Sequence, residues 1–119
     1  MYNVKIEPSI LKGTVCAPPS KSVAHRLLIC AALSSGTSEI SGLSLSKDII
    51  ATIDALKSLG AQITVEGNTA MVKGINNIPQ SATIDCNESG STLRFLIPIA
   101  TALGVSTTFL GKGKLPERP

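Results

Sequence analysis

The sequence predicts an α/β fold (α+β in the broad sense) made of βαβαββ units, with one complete unit and the start of a second. The chain has 119 residues, 43% of them hydrophobic and 16% charged, which is typical of a folded domain and excludes intrinsic disorder. Segments with strand and helix periodicity alternate along it. A shift of about 68 positions also aligns identical residues, which indicates an internal repeat. The aligned pairs are Arg26 with Arg94, Leu28 with Leu96, Ile29 with Ile97, Ala32 with Ala100, Gly36 with Gly104 and Ser38 with Ser106.

The first predicted elements are two short strands, over residues 2–7 and 12–16, followed by a helix. Ser22 can cap this helix, which runs to about Ser35 and stops at Gly36. Its predicted buried face consists of Val23, Leu27, Cys30 and Ala31.

A second helix begins after Ser46, a capping residue, and ends at Gly60. Asp48 lies in its first turn, where a negative charge interacts favourably with the helix dipole. Its predicted buried stripe is Ile49, Ile53 and Leu56.

Five further strands are predicted around the second helix and beyond it, and two of them form a hairpin that turns at Gly67-Asn68. They are residues 37–41, 61–65, 69–74, 82–86 and 105–110. A third helix lies between the last two strands. It opens at Ser89 or Ser91, runs to about Leu103 and contains Pro98, which predicts a kink. Because it is apolar nearly all round, we expect it to be buried on every side.

These elements divide the chain into three parts. Residues 1–12 are an N-terminal strand segment, residues 13–75 the first unit, and residues 76–119 an incomplete second unit. A repeat that begins and does not finish predicts that the chain is the N-terminal piece of a longer parent protein.

The composition excludes several classes of protein. A net charge of +3 with 3% aromatic residues does not suit a nucleic-acid binder. The longest apolar run, Leu27 to Leu33, is far short of the roughly 20 residues of a membrane span. The N-terminus lacks the apolar core of a signal peptide, so a cytoplasmic location is expected. The three cysteines, Cys16, Cys30 and Cys86, lack disulfide or zinc spacing and are predicted to be buried thiols.

The start of the first helix is a candidate anion site. Backbone N–H groups and the dipole favour an anion there, and Lys21 adds a positive charge. Ser22 and Arg26, four residues apart, share a face, and arginine can bind a carboxylate with two hydrogen bonds. The alternative is an ordinary capped helix with exposed charges. His25, the only histidine, is expected to be a partly exposed helix residue without a catalytic role.

The start of the third helix repeats this arrangement, with Gly90 for close backbone approach, Ser91, and Arg94 as the repeat equivalent of Arg26. A glycine needed only for a tight turn is the alternative. The terminal loop is a third candidate, whose alternative is a solvated tail. Its basic residues are Lys112, Lys114 and Arg118. The carboxylates form no acid/base pair that the sequence can place. They are Asp48, Asp54, Asp85 and Glu88.

Three motifs, in order, resemble the 5-enolpyruvylshikimate-3-phosphate synthase (3-phosphoshikimate 1-carboxyvinyltransferase) family of enolpyruvyl transferases. They are Pro19-Ser20-Lys21-Ser22-x-x-x-Arg26, Glu88-Ser89-Gly90-Ser91-Thr92-Leu93-Arg94 and Pro116-Glu117-Arg118-Pro119. The resemblance implies an inside-out α/β fold with helices buried among βαβαββ units. In this family the first strand pairs with the second domain, so residues 1–12 are expected to do the same.

The activity implied is transfer of the enolpyruvyl group of phosphoenolpyruvate to the 5-hydroxyl of shikimate 3-phosphate, with no metal or organic cofactor. Lys21 would be catalytic and contact both substrates, Ser22 and Arg26 would hold the shikimate carboxylate, and Gly90 and Arg118 would bind phosphoenolpyruvate. The supporting residues would be Ser91 and Arg94. The acid/base carboxylates of the family lie outside this chain, so the piece alone is expected to be inactive.

Glu88 is a departure from the family pattern, which has asparagine there. Its carboxylate is expected either to weaken the binding of phosphoenolpyruvate and of the inhibitor glyphosate or to point away from the site. Two alternatives stay open: a UDP-N-acetylglucosamine enolpyruvyl transferase, whose first loop typically carries Lys-Asn where Lys21-Ser22 stand, and a non-catalytic anion-binding module. The parent is expected to be a monomer, and the piece to self-associate through apolar surface.

Overall fold

The computed structural model describes residues 2–119, so Met1 of the predicted N-terminal segment lies outside the described residues. It contains three helices, five strands and a short 3₁₀ turn at Leu115–Glu117, and the mixed α/β class is confirmed. In chain order the helices and strands are α1 (Lys21–Leu33), β1 (Thr37–Ile40), α2 (Lys47–Ser58), β2 (Gln62–Glu66), β3 (Thr69–Lys73), β4 (Ser81–Asp85), α3 (Gly90–Ala102) and β5 (Ser106–Leu110).

Residues 2–20 form no helix or strand, so the strands predicted over residues 2–7 and 12–16 are wrong for this chain. Their apolar side chains have nothing to pack on, with Tyr2 98% and Val15 91% exposed. A strand needs a neighbour that satisfies its backbone hydrogen bonds and covers its apolar face. No such neighbour lies beside this segment within residues 2–119.

Strands β1, β3 and β2 form an antiparallel sheet in that order. The predicted hairpin is confirmed, because β2 and β3 pair up to Glu66 opposite Thr69, with only Gly67 and Asn68 between them. Gly67 has φ +57° and Asn68 does not have a positive φ, which is the pattern of a turn with glycine at the first central position.

Strands β4 and β5 pair in parallel, with Asp85 opposite Leu110 at their carboxyl ends. Helix α3 is the crossover between them. The loops that follow the two strands therefore leave the sheet side by side, joined by a 2.8 Å hydrogen bond from Cys86 N to Leu110 O and a 2.7 Å bond from Lys112 N to Asn87 O. This pairing brings the start of α3 next to the terminal loop.

Helix α2 is the centre of the core and contacts α1, α3 and β4. Its predicted cap and stripe are confirmed, because the Ser46 hydroxyl accepts from Ile49 N, and Ile49, Ile53 and Leu56 are buried. It ends at Ser58 with Leu59 as its C-cap, close to the predicted stop at Gly60.

Helix α1 differs from the prediction in its start, its end and its buried face. It begins after Ser20, whose hydroxyl accepts from Val23 N, and ends before Ser34. Of the predicted face only Ala31 is buried, since Val23 is 52% and Leu27 48% exposed and Cys30 is exposed as well. Apolar residues lie on both faces of α1, so their spacing alone does not identify the inner one. The residues actually buried are Ala24, His25, Leu28, Ile29, Ala31 and Ala32.

Helix α3 was predicted to be buried on every side, and in this chain it is not. Its buried residues are Thr92, Leu96 and Ala100, while Ile97 is 45% exposed. It packs on α2 and β5, and no second layer covers its outer face within residues 2–119. Pro98 lies inside the helix, as expected, and Ser89 rather than Ser91 is its N-cap.

The cysteines also divide by position. Cys86, directly after β4, is buried as predicted, but Cys16 and Cys30 are exposed. Cys16 lies in the irregular N-terminal segment and Cys30 on the outer face of α1, so neither has a core to enter.

Helices α1 and α3 resemble each other, because each has 13 residues and begins after a serine whose hydroxyl accepts from the N–H three residues on. The proposed division into two units stays a prediction. Within residues 2–119, no helix combines the length and apolar composition that crossing a bilayer requires.

Candidate active site

The first wall of the site is formed by the starts of α1 and α2. Ser20 caps α1 and places Lys21 in the first helical position. The ammonium of Lys21 lies 2.6 Å from Oδ2 of Asp48, which stands in the first turn of α2. The ion pair therefore joins two helix N-termini, where backbone N–H groups favour anions.

The second wall is formed by the start of α3 and the terminal loop. Ser89 caps α3 through a 3.2 Å bond from Thr92 N, so Gly90 is the first helical residue. A Cβ placed on Gly90 would lie 3.6 Å from Nη1 of Arg118, which is an ordinary contact. Leu115, which is buried, anchors the 3₁₀ turn that carries Arg118 to this point.

These two walls border an open cleft of about 410 Å³. Its lining residues are Lys21, Asp48, Gly90, Ser91, Arg94, Phe95 and Arg118. The cleft therefore carries three cations and one carboxylate, and its net positive charge suits a small anion. A smaller pocket of about 220 Å³ shares Gly90, Arg94 and Arg118 with it.

Five of the seven residues predicted for the site line this one cleft, although they come from three separate motifs. They are Lys21, Gly90, Ser91, Arg94 and Arg118. Arg94 also donates a hydrogen bond from Nη2 to the carbonyl oxygen of Pro119, which ties α3 to the end of the terminal loop.

Ser22 and Arg26 lie outside the lining of the cleft. Nη1 of Arg26 donates to the carbonyl oxygen of Ser22 at 2.9 Å, and the guanidinium lies 5.2 Å from the centroid of the Phe95 ring. Since Phe95 lines the cleft, Arg26 reaches its edge through a cation–π contact and remains exposed to a ligand.

Two residues that line the cleft were not predicted from the sequence. Asp48 was interpreted only as a helix-terminus charge, and Phe95 only as part of an apolar helix. Asp48 lies in the first turn of α2, as expected, but its ion pair with Lys21 spans 27 positions. No local pattern encodes such a contact, so it follows only from the packing of α1 on α2.

Glu88 points away from the cleft and toward the terminal loop. Gly113 has φ +54°, and a Cβ there would overlap the Glu88 carboxylate. The carboxylate thus occupies the space left by the missing side chain of Gly113, and Glu88 is not among the residues lining the cleft. Of the two expectations for Glu88, the structure agrees with the second.

The carboxylate of Asp85, at the end of β4, holds the other side of the terminal loop. Lys112 Nζ lies 2.5 Å from its Oδ2, and Asn87 N donates to its Oδ1 at 2.8 Å. Both bonds lower the pKa of Asp85 below its usual value, and the bond to Lys112 has the larger effect. Next along the chain, burial raises the pKa of the Cys86 thiol to about 11, with a smaller effect of the Asp85 charge.

His25 is not the partly exposed helix residue that was predicted. It is 1% exposed, and its ring contacts the Thr52 hydroxyl instead of the cleft. Among residues 2–119, no three His, Cys, Asp or Glu side chains are grouped so that they could hold a metal ion.

Known proteins resemble this chain over nearly all of its residues. The family model of EPSP synthase (3-phosphoshikimate 1-carboxyvinyltransferase) matches residues 6–119. A 3-phosphoshikimate 1-carboxyvinyltransferase of Clostridium perfringens is 53% identical over 121 residues, which cover all of this chain and 28% of that protein. One of Clostridioides difficile is 49% identical over 130 residues and is covered to 30%.

Among solved structures, an EPSP synthase from Acinetobacter baumannii superimposes with a TM-score of 0.75 at 24% identity, over 90% of this chain and 25% of that chain. This likeness shows the fold. The chain thus spans less than a third of the length of the relatives it matches. The match of the family model over nearly the whole chain shows that the chain belongs to the EPSP synthase (3-phosphoshikimate 1-carboxyvinyltransferase) family.

Proposed function

We propose that this chain forms part of the active site of a 3-phosphoshikimate 1-carboxyvinyltransferase. The observation that carries the proposal is the cleft in which Lys21, Arg94 and Arg118 meet at the start of α3. Three fixed cations beside a helix N-terminus suit substrates that carry phosphate and carboxylate groups.

The proposed reaction joins two anions. The 5-hydroxyl oxygen of shikimate 3-phosphate forms a bond to the central carbon of phosphoenolpyruvate, and the bond from that carbon to the phosphate oxygen breaks. The proton of the 5-hydroxyl group ends on the released phosphate. Because both substrates are negatively charged, fixed cations lower the free energy of bringing them together in a reactive geometry.

The proposed subsite for phosphoenolpyruvate is the start of α3. Gly90 presents backbone to the ligand without a side chain, and Arg118 lies beside it. Ser91 and Arg94 support this subsite, because Arg94 connects α3 to Pro119 at the end of the loop that carries Arg118. Lys21 lines the same cleft, which supports the proposal that it contacts both substrates.

The proposed subsite for the shikimate carboxylate is the outer side of α1. Arg26 uses one N–H group on the Ser22 carbonyl and keeps others of its five for a carboxylate. The Ser22 hydroxyl adds a donor on the same face. Stacking on Phe95 restricts the guanidinium, which favours a fork-shaped contact.

The rest of the reaction needs groups beyond this chain. The chain spans 28% of the Clostridium perfringens relative, and we propose that the acid/base carboxylates belong to the remainder. The 119-residue chain alone is then inactive. We also place the complete enzyme in the cytoplasm as a monomer, with residues 1–12 paired to its second domain, and expect the isolated chain to self-associate through exposed apolar residues.

The test is phosphate release by the complete enzyme that carries this segment. It should require both phosphoenolpyruvate and shikimate 3-phosphate, and Lys21→Ala or Arg118→Ala should remove most of the activity. Lys57→Ala, in the last turn of α2 and away from the cleft, is the matched control and should behave as wild type. Turnover only with UDP-N-acetylglucosamine, or binding of phosphoenolpyruvate without turnover, would refute the proposal.

A further inference from the structure

A continuous chain of hydrogen bonds crosses the interior from α1 through α2 to α3. His25 Nδ1 lies 2.7 Å from Thr52 Oγ1, which lies 2.7 Å from Thr92 Oγ1. The Thr92 hydroxyl in turn donates to Ser89 Oγ at 2.7 Å. All four side chains are at most 1% exposed, so water does not compete for these bonds.

The direction of the protons follows from the far end of the chain. The Thr92 hydroxyl is directed toward Ser89 Oγ and, at 3.4 Å, the backbone oxygen of Asp48, so its proton is used there. It therefore accepts from Thr52, whose oxygen accepts from Nδ1–H of His25. Nδ1 of His25 then carries a proton, as it does both in the neutral Nδ1–H tautomer and in the charged ring.

The other ring nitrogen explains why the neutral form is required. Nε2 of His25 is buried and has no hydrogen-bond partner within residues 2–119. A lone pair tolerates this position better than a charged N–H group would. Burial lowers the pKa of His25, Asp48 opposes this effect, and Lys21 and Arg26 add to it.

The chain of bonds ends at the residues that build the cleft. Ser89 caps α3 directly before Gly90, and Thr92 contacts the backbone of Asp48, whose carboxylate holds Lys21. None of His25, Thr52 and Thr92 lines the cleft itself. Any effect of these three residues on a ligand must therefore pass through the positions of the three helix starts.

We propose that His25, Thr52 and Thr92 are positioning residues, which hold the starts of α1, α2 and α3 in the geometry that binds the anionic substrates, with His25 neutral and protonated on Nδ1. The proposal deepens the proposed function and rests on it for its kinetic test. In this proposal the buried hydrogen bonds of His25, Thr52 and Thr92 set distances between groups in the cleft, although none of the three side chains lines it.

The first test is independent of enzymatic activity, because the chain contains one histidine. Nitrogen NMR of the 119-residue chain should show the proton on Nδ1 at neutral pH and a titration below the ordinary pKa of 6.5. Thr52→Val should change the tautomer or lower that pKa further, because the charged ring loses the acceptor for its Nδ1–H group. A proton on Nε2, or titration at 6.5 in both proteins, would overturn the proposal.

The second test uses the complete enzyme. Thr52→Val and Thr92→Val should each lower kcat/KM on the order of tenfold at temperatures well below unfolding, and the double variant should be no worse than either. Thr101→Val is the matched control, since Thr101 lies on α3 but is exposed and bonds only within its helix, to Ile97 O. Loss of stability with unchanged kcat/KM would mean a merely structural role and would overturn the proposal.

A conservative variant separates positioning from packing. His25→Asn keeps an N–H donor for Thr52 and cannot titrate. We expect protonation of His25 to lower kcat/KM of the wild type at a pH below 6.5. The variant should retain kcat/KM at neutral pH and lose this decline. His25→Leu should lose the activity. Equal behaviour of the two variants would contradict the proposal. A wild-type enzyme without any transferase activity would refute the proposed function. The NMR test would still show whether the buried hydrogen bonds hold His25 neutral with its proton on Nδ1.

Discussion

The ammonium of Lys21 and the carboxylate of Asp48 form a 2.6 Å ion pair that joins the first turns of two helices. Their side chains are 55% and 30% exposed, so we expect the pair to contribute at most about 1 kcal/mol to the free energy of unfolding. Its larger effect is to fix where the ammonium stands in the cleft.

Asp48→Asn should therefore separate stability from activity. The variant keeps the backbone oxygen that Thr92 contacts but releases Lys21, so kcat/KM of the complete enzyme should fall on the order of tenfold while stability changes by less than about 1 kcal/mol. Steady-state phosphate release and urea unfolding measure the two effects. Asp54→Asn, on the same helix but outside the cleft, should change neither.

Gly90→Ala should fit the unliganded fold but obstruct the ligand. The added Cβ makes only ordinary contacts, 3.6 Å from Arg118 and 3.9 Å from Leu115. Stability should be unchanged or rise by up to about 1 kcal/mol, because alanine is the better helix former. The KM for phosphoenolpyruvate should rise on the order of tenfold, since the methyl group enters the proposed subsite.

The control for this substitution is Gly36→Ala, where a Cβ would contact only Ser34 Oγ, at 4.0 Å, and which is not among the residues lining the cleft. It should leave the KM for phosphoenolpyruvate unchanged. If Gly90→Ala also leaves that KM unchanged, the ligand does not approach the start of α3.

Lys112→Met should raise the pKa of Asp85 toward its ordinary value of 3.8, since the bond to Lys112 is the largest cause of its lowering. A lowered carboxyl pKa means that the folded state favours the charged form. The associated stabilisation is present above pH 3.8 and is lost as the pH falls through the folded pKa. Carboxyl NMR titration measures the shift, and Lys114→Met, in the same loop, should leave the Asp85 titration unchanged.

Gly113→Ala should destabilise the terminal loop through two separable effects. The positive φ costs about 1–2 kcal/mol for any other L-residue, and the Cβ also overlaps the Glu88 carboxylate. Adding Glu88→Ala should recover the second effect and leave the first, as measured by urea unfolding. If Glu88→Ala recovers no stability in the Gly113→Ala background, Glu88 does not occupy this space.

The secondary structure that depends on local signals was predicted well from the sequence. The Ser46 cap, the hairpin at Gly67-Asn68 and the helix start at Ser89 each need only a few neighbouring residues. The strands predicted before α1 failed because a strand depends on a partner elsewhere. The prediction of the inner face of α1 was largely wrong because the outer face, with Val23 and Leu27, is equally apolar.

The basic residues of the site were predicted from the sequence, but their arrangement in space was not. Lys21, Gly90 and Arg118 were identifiable from motifs, because helix starts and basic loops are visible in the sequence. That they share one cleft follows from the parallel pairing of β4 with β5, which no single motif encodes. The partner of Lys21, Asp48, depends in the same way on tertiary packing.

The burial of Cys86 gives this fold a chemical reporter. Its thiol is 0% exposed and its pKa is about 11, so at neutral pH it is both inaccessible and protonated, whereas Cys16 and Cys30 are exposed. Alkylating reagents attack thiolates. They should therefore label two sulfurs in the folded chain and three after unfolding, and the rate of the third labelling measures how often the layer that holds β4 and β5 opens.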